Sequence, residues 1–106
     1  MIVYLFRLNP SDSDPKEING LLEFISTLSC LQFNYLPSKK VAVLASDKSI
    51  VTQLSNWVVE NVNFKFEYEE HQQGSRKLVQ WDPAIGNSFT IQYLLPLFTP
   101  ESYLEL

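Results

Sequence analysis

The chain has 106 residues, of which 45% are hydrophobic and 19% charged, the balance of one globular domain spanning 1–106 that can bury a core without disulfide or metal staples. A net charge of −4 argues against extended DNA or RNA as a partner, because binders of the phosphate backbone carry a basic stripe. One cysteine and one histidine exclude a disulfide framework and the usual Cys/His zinc site; the residues call for no metal and no cofactor.

The opening run MIVYLFR is too short to span a membrane and lacks the pattern of a signal peptide, so the expected location is the cytoplasm. Ile2 to Leu8 is nearly all apolar and reads as a strand buried on both faces. Asn9-Pro10-Ser11-Asp12 is turn chemistry, and Asp14 and Pro15 then open a helix whose apolar face is Ile18, Leu21, Leu22, Ile25 and Leu28. Gly20 within that helix suggests close packing against a neighbour.

Residues 32–38 (QFNYLPS) read as a loop, and Val41 to Ala45 as a short, wholly apolar strand. Ser46 or Asp47 is the expected cap of a second helix carrying Ile50, Val51, Leu54, Trp57, Val58 and Val62. Phe64, Phe66 and Tyr68 alternate with charged residues as in a strand with one buried face, and Glu67, Glu69 and Glu70 read as the solvent side of an edge strand. Leu78 to Trp81 is the next strand. Phe89, Ile91, Tyr93 and Leu95 alternate again, although residues 88–98 also fit a helix beginning at Ser88. A single helical turn is expected in the tail.

This order predicts an α/β fold: a small, mostly parallel sheet opening β-α-β-α-β and closing with a C-terminal β-hairpin, with a ferredoxin-like α+β sandwich as the alternative. In a parallel sheet, ligands bind at the carboxyl ends of the strands. That rule gathers Arg7, Asn9, Ser11, Ser46, Lys48, Ser49, Gln72 and Lys77 as candidate ligand-binding residues, with His71 and Arg76 as the catalytic pair if the chain is an enzyme. Ordinary loop polarity accounts for the same residues more simply. No Gly-rich phosphate loop, dinucleotide fingerprint or nucleophile elbow is present.

The β-α-β-α-β opening, over roughly residues 1–77, resembles at the level of topology the Rossmann-like domains that bind cyclic oligoadenylates in CRISPR systems, and the small nucleases that degrade those messengers. No motif carries a functional residue across.

Two readings of function follow. The first is a small non-catalytic interaction or regulatory module that associates with itself as a homodimer or with a protein partner. Its surface would be Trp57 or the strand of Phe64, Phe66 and Tyr68. The alternative is a nucleotide-binding domain, including a metal-independent phosphodiesterase acting on a cyclic oligonucleotide. There His71, Arg76 and Lys77 would stabilise phosphate charge.

Overall fold

The apolar opening run forms β1 (Ile2–Arg7), buried along its length except at Arg7. In the computed structural model, which describes residues 1–8, 15–28, 30–86 and 88–95, β1 lies inside the sheet with an antiparallel neighbour on each side. α1 (Pro15–Thr27) follows, with Pro15 at its first position, and it buries Ile18, Leu21 and Ile25 as its spacing predicts. The expected cap Asp14, with Asn9 and Ser11, lies outside the described residues. Gly20 marks no close approach: a Cβ built there would meet nothing within 4 Å.

The predicted loop at 32–38 is instead a strand, β2 (Gln32–Leu36), and this overturns the parallel sheet. A turn over Pro37 to Lys40 links β2 to β3 (Val41–Ser46) as an antiparallel hairpin; the Lys39 amide donates to the Leu36 carbonyl at 3.1 Å, and Lys40 takes a left-handed φ of 55°. The added strand reverses β3, which therefore pairs antiparallel with β1.

α2 (Val51–Asn61) starts after Ile50 without a side-chain cap. Ser46 does not cap it but closes the preceding loop, accepting from the Lys48 amide at 3.1 Å and donating to the Lys48 carbonyl at 2.7 Å.

β4 (Phe66–Gln72), β5 (Ser75–Asp82) and β6 (Ser88–Leu94) complete an antiparallel meander. Gly74 turns the first hairpin at a φ of 77°, and Gly86 follows a 3₁₀ turn, Pro83–Ile85, at a φ of 97°. Residues 88–94 are thus strand, and the predicted helical turn of the tail lies outside the described residues.

Among the described residues the sheet has six strands in the order β2-β3-β1-β4-β5-β6, and every neighbouring pair is antiparallel. The mostly parallel sheet of the sequence reading is therefore corrected, and with it the Rossmann-like resemblance. The first six elements have a split β-α-β connectivity, in which each helix crosses over an intervening strand. Both helices pack on one face, where Tyr4, Phe6, Leu44, Phe66, Tyr68 and Trp81 meet Leu21, Ile25, Leu54 and Val58 in one core. The other face carries Val3, Leu5, Val43 and Ala45, all buried, beside the charged residues of β4 and β5. No helix among the described residues is long and apolar enough to cross a membrane.

Candidate functional site

The antiparallel sheet divides the predicted ligand residues. β3 and β4 run the same way on either side of β1, so Ser46 to Ser49 and the β4–β5 turn share one end of the sheet. Arg7 pairs with Val41 while Ile2 pairs with Ser46, which puts Arg7 at the opposite end, about 17 Å away at the strand rise of roughly 3.4 Å per residue. No single crevice collects all the strand ends. Ser46, Lys48 and Ser49 instead line a hollow of about 270 Å³ with half-buried Cys30.

The catalytic candidates do converge, but on each other. Glu69 is 2% exposed, on the face away from the helices, and its carboxylate receives Arg7, the Arg76 Nε at 2.7 Å and the His71 Nε2 at 3.2 Å. Burial opposes ionisation of Glu69, yet the hydrogen bonds and charges of Arg76 and Arg7 outweigh it and hold the carboxyl below the ordinary carboxylate range. For His71, 1% exposed, burial lowers the pKa; the pull of Glu69 opposes this, and the two arginine charges reinforce it. Arg76 also reaches the Leu95 carbonyl at 3.3 Å. The cluster is a charge-satisfied knot: His71 has almost no surface from which to reach a substrate proton.

Alternation along β4 sends the next carboxylate, Glu70, to the helix face. Glu70 is 5% exposed there, and the Lys77 ammonium lies 3.4 Å from it. Three of the predicted ligand residues, Ser49, Gln72 and Lys77, meet around it in a slot of about 350 Å³ between the start of α2 and the surface of β4 to β6. Val51, Val79, Phe89 and Ile91 supply its apolar walls. The Tyr4 hydroxyl accepts from the Ile50 amide at 3.4 Å and is hydrogen-bonded to Ser49 and Glu70. Burial raises its pKa, Ser49 and the Ile50 amide oppose the rise, and Glu70 adds to it.

The Tyr68 side chain is 2% exposed and lines the slot, and since no buried side-chain polar atom among the described residues lacks a partner, its hydroxyl is not a buried orphan. Burial, then the nearby charge of Glu70, raises the phenol pKa and keeps it protonated. Sequence reasoning placed Tyr68 in a binding surface but missed that it lines a hollow. It missed Tyr4 and took Glu70 for a solvent charge of an edge strand, because their partners come from other strands and from the loop before α2.

A larger hollow of about 510 Å³ at the other end of the sheet is lined by Arg7, Lys65, Glu67, Gln80 and Asp82. Its charges are already paired, Lys65 with Asp82 at 3.5 Å and Arg7 with Glu67 at 3.8 Å. Among the described residues nothing buried and unsatisfied points into it.

Of the predicted interface residues, Phe64, Phe66 and Tyr68 lie in the chain's own core at 4%, 5% and 2% exposure, which leaves them little surface for a macromolecular partner. Trp57 is half-buried and stacked on Phe24, with ring centroids 4.4 Å apart and planes 6° from parallel. Among the described residues, three of the large exposed apolar side chains lie at β6 and just beyond, Ile91, Tyr93 and Leu95 at 54%, 74% and 82%; Met1, Leu31, Val59 and Ile85 are exposed elsewhere. β6 is an outer strand of the sheet and contains no charge, proline or glycine.

Among the described residues no group of three or more His, Cys, Asp or Glu side chains could hold a metal ion. No family model matches the chain, and neither the curated proteins nor the solved structures contain a match to it.

Proposed function

We propose that this chain is a non-catalytic interaction module that associates with a second copy of itself along β6. The observation that carries this reading is the composition and exposure of that outer strand. Outer strands are commonly blunted by charge, proline or a bulge, because their free N–H and C=O groups otherwise recruit another strand. β6 has no charged residue or proline, and it runs in unbroken register with β5 from Ser88 to Leu94. β2, the other outer strand, is shorter, and its inward residues Phe33 and Tyr35 are packed against the helix-side core.

The partner proposed is a second copy, and charge at the edge does not oppose it. The chain as a whole carries −4, so two copies repel, yet the β6 edge adds nothing to that repulsion. A two-fold axis beside β6 would pair it with its mate, extend one antiparallel sheet, and bury Ile91 and Tyr93 against their counterparts. The inaccessible Glu69–His71–Arg76 knot supports a role without catalysis.

Native mass spectrometry and light scattering at micromolar concentration test the proposal. The expected result is a dimer that Tyr93→Lys together with Ile91→Lys converts to a folded monomer. A monomeric wild-type chain would overturn it, as would a dimer that the double variant leaves intact.

A further inference from the structure

We propose that the β2 edge of the sheet takes up an extended peptide segment of another protein, paired antiparallel to β2 and preceded by acidic residues. This goes beyond self-association and uses the edge opposite β6.

The backbone supplies the first part of the site. β2 is an outer strand with β3 on one side, and its sequence QFNYL holds no charge, proline or glycine. The outward row of N–H and C=O groups on such a strand is a template for a further strand. Its side chains leave that row open: Gln32 and Asn34 are exposed, while Phe33 and Tyr35 are half-buried against the helix-side core. A strand that continues this antiparallel sheet runs opposite to β2. Its first residues then lie beside Leu36 and the turn over Pro37 to Lys40.

Charge selects the partner. Lys39 and Lys40 are both exposed in that turn, and neither pairs with a carboxylate among the described residues. Arg7, Lys65, Arg76 and Lys77, by contrast, each meet an acidic side chain. On a chain of net charge −4, a pair of uncommitted lysines at one end of the edge favours an acidic segment there. A lysine on an outer strand discourages pairing, but these two stand beyond the strand in its turn, where they select charge without occupying the edge. Lys40 holds a φ of 55°, which glycine adopts with less strain, so the turn keeps this lysine at a conformational cost.

A hollow of about 150 Å³ lies between the start of α1 and the end of β2, with Ile18, Asn19, Tyr35, Pro37 and Lys40 in its lining. It has room for one apolar side chain, and in strand addition hollows beside the edge receive alternate side chains of the added segment. The segment therefore carries its acidic residues first and an apolar residue soon after them.

The test is a selection of short random peptides against the full chain, followed by titration of the selected peptides with backbone NMR. The expected result is enrichment of acidic residues ahead of an alternating apolar stretch, with saturable shifts concentrated from Leu31 to Val41. Lys40→Gly relieves the positive φ, so it should leave the unfolding midpoint unchanged or higher while weakening binding about threefold. Lys39→Gln together with Lys40→Gly should weaken it about tenfold, the range of one or two exposed ion pairs. A monomeric chain would leave this edge as open as before, so the proposal stands or falls apart from self-association along β6. It is overturned if no peptide binds, if the selected peptides show no acidic preference, if the shifts fall along β6 instead, or if the double lysine variant binds as tightly as the wild type.

Discussion

The two faces of this sheet are built from the same strands and held by different forces. On the helix side, β1 and β4 present Tyr4, Phe6, Phe66 and Tyr68, whose rings pack at centroid separations between 5.1 and 6.5 Å. On the other side the same strands present Val3, Leu5, Glu69 and His71, with Arg7 and Arg76 closing on the carboxylate. The first face is stabilised by apolar area and fit, which change little with pH or salt. The second depends on protonation state, because its central carboxylate is stable when buried only while its partners hold it. One sheet therefore has a robust side and a condition-dependent side, and mutations should separate them.

The largest expected effect comes from the robust side. Trp81 is 1% exposed, lies 4.7 Å from the ring of Phe89, and donates from Nε1 to the Val62 carbonyl at 3.3 Å. Trp81→Ala should cost about 4 kcal/mol, since it removes a large buried ring and leaves a cavity. That is a large part of the total for a domain of this size, roughly 5–15 kcal/mol. Urea unfolding at neutral pH should show a lower midpoint, and the loss should persist at high salt. A loss that salt changes sharply would contradict the assignment of this face to packing.

The charged side should lose less and should be coupled. Glu69→Leu and Arg76→Met are each expected to destabilise by about 2–3 kcal/mol, below the figure for a fully buried pair because the Arg7 side chain is 43% exposed and can turn to water. The double variant should cost at least about 1 kcal/mol less than the sum, since removing both partners leaves no orphaned charge between them. Strict additivity in a double-mutant cycle would mean that the cluster is not an energetic unit.

The same contrast explains what was legible in the sequence. β1, β3 and both helices could be read because their periodicity is local: Ile18, Leu21 and Ile25 recur at helical spacing whatever lies opposite. β2 was legible in principle, since Phe33 and Tyr35 alternate with Gln32 and Asn34, but Asn34 and the Pro37-Ser38 turn favoured a loop. Missing that one strand reversed the inferred direction of β3, and a parallel sheet followed. The acidic run of β4 failed for another reason. Glu69 and Glu70 look like an edge strand's solvent charges, yet β4 lies between β1 and β5. Their partners Arg7, Arg76 and Lys77 come from those neighbours, so nothing within the run itself reveals that both carboxylates are buried.

The smallest expected effect is a pH dependence confined to the charged side. The folded pKa of His71 is lowered, chiefly by burial, so the folded state favours the neutral imidazole. The unfolded chain therefore takes up the proton first as pH falls. The stability from keeping His71 neutral is complete above the ordinary histidine value of about 6.5 and is lost progressively below it, until pH passes the lowered folded pKa. Glu69, also lowered, adds a second loss below its ordinary carboxylate range, where the unfolded state protonates before the folded one. Each proton accounts for at most about 1.4 kcal/mol per pH unit. Unfolding midpoints should thus be flat from pH 8 to 7, decline gently through pH 6 and 5, and fall more steeply below. In His71→Gln the gentle upper decline should disappear while the steep lower one remains. Were the variant to keep the whole profile, the loss between pH 7 and 5 would have to come from a group other than His71, and the buried imidazole would have no part in the acid sensitivity of this face.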